Sequence, residues 1–561
     1  MRSGFFGRDW PACVLLTLVC LALYLPGLST IPPVDRDEPR FAQATKQMLE
    51  THDFIRPRFQ TENRFKKPIG IYWLQAAAVL ATRQQGRRAI WPYRLPSVLG
   101  ALAAVLLTYW IGCQLFNRPV ALLGAALLAS SALLVVEAHV ATTDATLLAC
   151  MIAAQGCLAS LYSAAHRGSP SLTLHAAGFW LAQGLGILVK GPIVPLVSGL
   201  TVGTLLVVDR RAVMRMLAGL RAAWGVPLML LLILPWAVAV GLATDGVFYR
   251  DWFGGDVLPK ILSGQESHGA PPGFYVVLLA VTFWPGSFAM GLGIAHGFRH
   301  RQSYAERFCL AWLIPTWLFF ELMPTKLPHY LLPTYPALAL LAACAVFAPR
   351  ASHSLAWATG VVRTGFVLWG ALTLALSAVI VAASVLIGGG LDVFAAGAAL
   401  AAAAIAIVCV RLAWTGQLVR ASWAAVVGSV ALYAPLLQRV IPELHPLWLS
   451  PAASAAIAQR TPRASDARPV VAVGYEEPSL IFLTGADIAL VEPTRAVTFL
   501  SEHSDGLALV SDDRQAAFMQ AASEMGVRVR ELWSVDGINY SKGHRTQLHL
   551  FEPLRSADAS P

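Results

Sequence analysis

Charge is scarce in this chain. Asp, Glu, Lys and Arg make up 13% of its 561 residues, against 56% hydrophobic, where a soluble domain carries roughly a quarter charged residues. That excludes an ordinary soluble protein and indicates a polytopic α-helical membrane protein. All eight cysteines lie in or at the ends of apolar segments, and none follows Cys409. This excludes a disulfide framework, and no pair has zinc-ribbon spacing. No GxGxxG or P-loop is present, so no nucleotide is assigned. No A-x-A-like cleavage site follows the first apolar run, which ends in "GLSTIPP"; it reads as an uncleaved first transmembrane helix. The net charge of +10 fits topology-setting arginines and anionic membrane lipid, and no nucleic acid is expected as a partner.

What is present is a series of apolar segments long enough to span a bilayer. They lie near 11–30, 94–116, 120–138, 144–164, 172–189, 192–208, 223–243, 273–295, 308–323, 329–348, 363–387, 393–411 and 421–441, about thirteen helices. Arg2, Arg8, Arg118, Arg167, the run "DRRAVMRMLAGLR", Arg350, Arg363, Arg411 and Arg420 then fall on one side, the cytoplasmic side by the positive-inside rule. The N-terminus is expected there. The 31–93 and 244–272 loops and the C-terminal region are expected on the other, periplasmic side of a bacterial inner membrane.

Two domains are expected: a transmembrane unit over 1–444 and a soluble α/β unit over 445–561. In the latter, short apolar runs ("PVVAVGY", "DIALVE", "LALVSD", "TQLHLF") alternate with helical patterns such as "DRQAAFMQAASEMG", the signature of a partly parallel sheet. The stretch "SPAASAAIAQRTPRASDARP" reads as a linker.

Ionisable residues collect on the outer side. Asp37 and Glu38 in "PPVDRDEPRF" are consecutive, so on a helix they diverge by about 100° and one of them aims at any given point. Pro39 suits a first helical turn, so "DEPRFAQATKQMLE" predicts a helix lying along the surface, with a narrow stripe of Phe41, Ala44, Met48 and Leu49. Asp37 is then either a helix cap or a group that reaches the reacting centre. The segment "RPRFQTENRFKKPIGIYWLQ" sets Arg58, Lys67 and other cations beside Phe65, Tyr72 and Trp73: an aromatic anchor, or an interfacial grip on lipid phosphate. Asp144 starts a membrane helix. Lys190 stands at a "KGP" turn, either snorkelling or serving as a point ligand for phosphate. His268 ends a Gly-rich loop, and Lys326, His329, Tyr330 and Tyr335 head a later helix. A transporter would place such groups near the midplane, in repeated halves. Here there is no internal repeat, and a surface site suits an enzyme acting on the headgroup of an embedded substrate.

The motifs "DEPRFAQATKQMLETHDFIRPRFQTENRFKKPIGIYWLQA", "TTDATLL", "VKGP" and "KLPHYLLPTYPALALL" resemble bacterial membrane glycosyltransferases of the lipid A aminoarabinose transferase and protein O-mannosyltransferase group. The resemblance implies a GT-C fold, a periplasmic active site, and a sugar donor carried on polyprenyl phosphate, usually undecaprenyl phosphate. Transfer inverts the anomeric centre. The acceptor is lipid A or another envelope molecule, and the enzyme acts as a monomer among membrane lipids. By position Asp37 matches the acid of the catalytic region, Glu38 its neighbour and Asp144 the second acid of the outer cavity. Arg58, Lys67, Lys190 and Lys326 are the candidate phosphate ligands; Tyr72, His268, His329 and Tyr330 are candidates for substrate contact. Such enzymes often carry a glutamate where this chain has Lys66. His268 therefore lacks a carboxylate partner; a divalent metal at His268 is left open but not assigned, and no other cofactor is expected. Two rival functions are a transferase for protein or another envelope glycan and a polyprenyl-lipid transporter or flippase.

Overall fold

The computed structural model describes residues 5–86, 88–169, 173–257, 270–348, 356–460 and 468–554. Among them, seven helices are long and apolar enough to cross a membrane, or eight if one bent pair is a single span. The chain opens with α1 (Phe5–Tyr24), α2 (Asp37–Thr51), α3 (Gly70–Ala81) and α4 (Trp91–Leu115). There follow α5 (Arg118–Ser130), α6 (Ala132–Ala138), α7 (Asp144–Arg167) and α8 (Thr173–Lys190).

The predicted spans fall on helices, with two departures that have local causes. The 120–138 segment is bent by 61° between α5 and α6. Ser131 is extended there (φ −62°, ψ 132°), and the Ala132 N–H that the break frees donates to the Trp284 carbonyl at 2.8 Å. A break at membrane depth is tolerated when protein satisfies the backbone in this way. The 273–295 segment is two helices, Phe274–Thr282 and Met290–Arg299, joined by a 3₁₀ turn. Pro285 and Gly286 lie in that join, and proline cannot donate to a continuing helix.

Helices α4 and α7 pack most extensively of all the pairs. The contact is close because Gly100 has no side chain: a Cβ there would lie 2.7 Å from the Thr146 backbone. This crossing sits one turn from the start of α7 and so fixes where Asp144 stands. At the opposite end of the bundle, Asp9 accepts from Arg118 at 2.6 Å. Asp209 accepts there from Tyr162 and Arg307 at 2.7 Å each and faces His166 at 2.8 Å.

The C-terminal region forms a five-stranded sheet. In chain order its strands are β1 (Val470–Val473), β2 (Ala489–Leu490), β3 (Leu507–Ser511), β4 (Val529–Asn539) and β5 (His544–Pro553). In space they run β2-β1-β3-β5-β4, with the first three parallel and the last two antiparallel. The partly parallel sheet thus follows the sequence pattern, with β4 added. Part of the expected linker is instead a helix, Leu449–Gln459, because Ala453, Ala456 and Ile457 pack onto the sheet.

Helix α2 begins at Asp37 as expected but does not lie on a surface. Gln43 and Thr45 are fully buried along with Phe41, Ala44 and Met48. The reason is a second covering: the helix Pro478–Thr484 of the C-terminal domain packs on α2. Its Phe482 stands edge-on to Tyr93, with ring centres 5.5 Å apart. Of the buried polar groups of α2, Thr45 donates to Gln75 at 2.7 Å and Gln43 Nε2 faces Gln47 at 3.3 Å, while Gln43 Oε1 has no partner among the described residues.

Gly100→Val should force α4 and α7 apart and cost about 1–3 kcal/mol through overpacking, read as a lower unfolding midpoint in detergent. An unchanged midpoint would mean that the crossing is not close-packed.

Candidate active site

The site is built at the bundle end where α2, α6, α7 and α8 meet. Its foundation is a buried carboxylate whose oxygens are all occupied by hydrogen bonds. Glu38 and Arg94 are both fully shielded from solvent. Arg94 Nε and Nη2 donate to the two carboxylate oxygens at 2.7 and 2.9 Å. Nη1 and Nη2 also donate to the carbonyls of Leu28, Ile31 and Pro32 at 2.9, 2.8 and 2.9 Å. The carboxylate accepts further from the Val34 and Ala141 N–H groups at 2.8 Å each. All five guanidinium donors are used, as a buried arginine requires. Glu38, grouped with the catalytic acids from the sequence, therefore has no oxygen left to offer a substrate.

Its neighbour points the other way, as their angular separation demands. The Asp37 side chain is 68% exposed, and Arg64 lies 3.8 Å from it. Arg64 in turn lies over the Phe41 ring, 4.9 Å from its centre. Arg36, just before it, adopts φ 92°. For a side-chain-bearing residue this conformation costs on the order of 1–3 kcal/mol and persists only where surroundings enforce it.

Facing this turn is a second cluster. Asp144 at the start of α7 accepts from Lys190 at the end of α8 at 2.5 Å, and the Lys190 ammonium is 5.9 Å from the centre of the Tyr330 ring. His329 stands between two acids, 3.9 Å from Asp144 and 3.7 Å from Glu137. The charge of Asp37 acts on both Glu137 and His329, and that of Lys67 acts on His329. Asp37, Lys67, Asp144, Lys190, His329 and Tyr330 are thus brought to one locality. Glu137 is the member that the sequence reading missed, because it lies inside the apolar run "ALLVVEAHV". Arg94 was overlooked in the same way. An ionisable residue within a membrane helix was the available signal for both.

Other candidates are placed elsewhere. Lys326 donates to the Glu321 and Met323 carbonyls and lies 3.8 Å from the Glu321 carboxylate; its ammonium is spent on closing its own loop. Arg58 sits on a two-residue hairpin strand, 3.8 Å from Asp53, next to Phe59, which packs against the C-terminal core. Tyr72 is fully buried in an aromatic cluster with Phe41, Phe65, Trp236 and Phe248, so it supports the site from beneath and does not line it. His268 lies outside the described residues. Among the described residues no three His, Cys, Asp or Glu side chains form a metal-ligand set; the cation in contact with Asp144 is Lys190.

Arg94→Ala should destabilise the protein by about 3–5 kcal/mol, because it strands a buried carboxylate. Glu38→Gln, which sets an amide NH2 against two N–H donors and leaves Arg94 a buried, uncompensated charge, should cost a comparable amount. Thermal unfolding in detergent compares the two, and a near-neutral effect of either would contradict this account.

The chain is similar to several known proteins. Residues 12–244 match the family model described as dolichyl-phosphate-mannose-protein mannosyltransferase. The undecaprenyl phosphate-alpha-4-amino-4-deoxy-L-arabinose arabinosyl transferase of Pseudomonas aeruginosa is 30% identical over 334 residues, 59% of this chain and 58% of that protein. The enzyme of the same name from Pectobacterium carotovorum is 28% identical over 336 residues, 59% and 58% of the two chains. The matches thus span 58% of the length of these relatives. The crystal structure of ArnT from Cupriavidus metallidurans bound to undecaprenyl phosphate superposes with a TM-score of 0.71 at 20% identity, over 99% of this chain and all of the other. The chain is a multi-pass membrane protein with the GT-C fold of that structure, and its similarity to aminoarabinose transferases covers 59% of its length.

Proposed function

We propose that this chain is an inverting glycosyltransferase that moves a sugar from a polyprenyl-phosphate donor to lipid A or a related envelope acceptor, at the periplasmic face of the inner membrane. The sugar is an amino sugar of the 4-amino-4-deoxy-L-arabinose type, as in the names of its relatives. One observation carries this reading. The Asp144–Lys190 pair, His329 and Tyr330 converge beside Asp37 at the end of a membrane bundle, where the headgroup of an embedded lipid would lie.

The chemistry follows from that arrangement. An acceptor oxygen attacks the anomeric carbon on the face opposite the phosphate, and the bond from that carbon to the phosphate oxygen breaks. The electron pair leaves with polyprenyl phosphate, which gives inversion. Negative charge builds on the departing phosphate, and fixed cations aimed at it stabilise the transition state. Lys190 and Lys67 supply them. Asp144 fixes Lys190 at 2.5 Å, so the ammonium needs no reorganisation when the phosphate arrives. If the acceptor is a hydroxyl, Asp37 takes its proton. If it is a lipid A phosphate, already ionised, Asp37 orients it. The match over 12–244 to a protein mannosyltransferase model supports a protein hydroxyl as the second acceptor class.

Lipid A mass spectra from cells with and without the protein test this directly. A sugar-sized mass gain on a phosphate is expected, and Asp37→Asn should lower it about 100-fold or more with folding intact. An unchanged lipid A profile would move the acceptor to protein or another glycan, and full turnover by Asp37→Asn would remove that residue from the mechanism. Lys67→Ala should weaken use of the lipid-linked donor or the phosphorylated acceptor; unchanged kinetics for both would discard its phosphate role.

A further inference from the structure

The turn that presents Asp37 is held from two domains. From the membrane side, the Glu38–Arg94 pair fixes the residue after it. From the other side, the C-terminal domain grips the two residues before it. Asp35 accepts from the Ser479 N–H at 2.8 Å and from its hydroxyl at 2.7 Å, one bond to each carboxyl oxygen. The Asp35 N–H donates to the Tyr540 hydroxyl at 2.8 Å, and the Arg36 guanidinium donates to the Ser541 carbonyl. Ser479 does not stand alone. Its hydroxyl is 2.6 Å from that of Ser450, which is 2.9 Å from the Tyr475 hydroxyl. These contacts hold Arg36 in its left-handed conformation (φ 92°) and so set the direction in which the helix starts.

We propose that the C-terminal domain is a clamp on the catalytic turn, with Asp35 and Ser479 as positioning residues that aim Asp37 at the acceptor. The catalytic half of this inference rests on the transferase reading above; the mechanical half does not. A carboxylate held by the backbone N–H and the hydroxyl of Ser479, in place of an arginine, makes the clamp sensitive to protonation. The charged groups that face Asp35 are Glu477 from the C-terminal domain and Glu38 from α2, both acids, and the other titratable groups beside it are Tyr475 and Tyr540. Among the described residues no lysine or arginine forms an ion pair with it.

Burial raises the Asp35 carboxyl from its ordinary 3.8 to about 7, against the pull of the Ser479 hydrogen bonds and with Glu477 and Glu38 adding to the rise. The docked state therefore binds a proton that the undocked state releases. Docking is tightest below the ordinary value and loosens as pH rises through about 7.

The test uses the full-length protein in detergent, on either side of pH 7. Hydrogen exchange is followed in the peptide that carries Val34 and Asp35, and steady-state transfer from a lipid-linked sugar donor is followed in parallel. Ser479→Ala should speed exchange of those two amides about tenfold and lower kcat about tenfold with KM within about twofold. Ser479→Thr, which keeps both donors, should restore both. Asp35→Asn, which keeps the shape but cannot titrate, should fold, retain slow exchange and abolish the pH dependence around pH 7. Unchanged exchange and kcat in Ser479→Ala, or a wild-type pH profile in Asp35→Asn, overturns the clamp. If even the unaltered protein transfers no sugar, the transferase reading fails, and the exchange rates alone decide the clamp.

Discussion

A fully desolvated arginine–glutamate pair is the constraint on which the rest of this structure depends. Removing two charges from water costs several kcal/mol each, and Glu38 and Arg94 recover that cost only because every donor and acceptor is used. In doing so they bind three separate pieces of chain: the stretch after α1 through Leu28, Ile31, Pro32 and Val34, the start of α4 through Arg94 itself, and the loop before α7 through Ala141. That loop leads directly to Asp144. One ion pair thus ties both acid-bearing elements to the same framework.

The chemistry is arranged around what this pair leaves free. The acid turn and the α7–α8 pair come from different elements, and within that pair opposite charges meet at 2.5 Å. Asp144 at a helix start and Lys190 at a helix end each sit where the local backbone dipole favours their charge. The Lys190 ammonium is therefore held in one orientation by the fold itself.

Much of this was legible in the sequence, for identifiable reasons. The divergence of Asp37 and Glu38 follows from helix geometry, and Pro39 marks the start. Lys190 and Asp144 stand at breaks between apolar runs, where charge is conspicuous. Glu137 and Arg94 were not legible in the same way, since each is a single ionisable residue inside an apolar run whose partner lies far along the chain. The burial of α2 was hidden for a similar reason: its polar face looks solvated until the helix Pro478–Thr484 is laid on it. Strand β4 has an irregular burial pattern with several exposed positions, so no apolar alternation announced it. The Leu449–Gln459 helix was disguised by the Ser, Ala and Pro content that it shares with linkers. Lys326 and Tyr72 show the converse: the sequence marks both for function, and in the structure Lys326 bonds within its own loop while Tyr72 is buried in an aromatic cluster.

The bonds from Asp35 to Ser479 join residues 444 positions apart. The first large loop is synthesised long before its partner. During biosynthesis the acid turn must wait, with its strained Arg36 unsupported, until the C-terminal sheet domain has been made and folded. The same contact that shapes the turn thus delays its completion, and a chain truncated before that domain would keep an unformed acid turn.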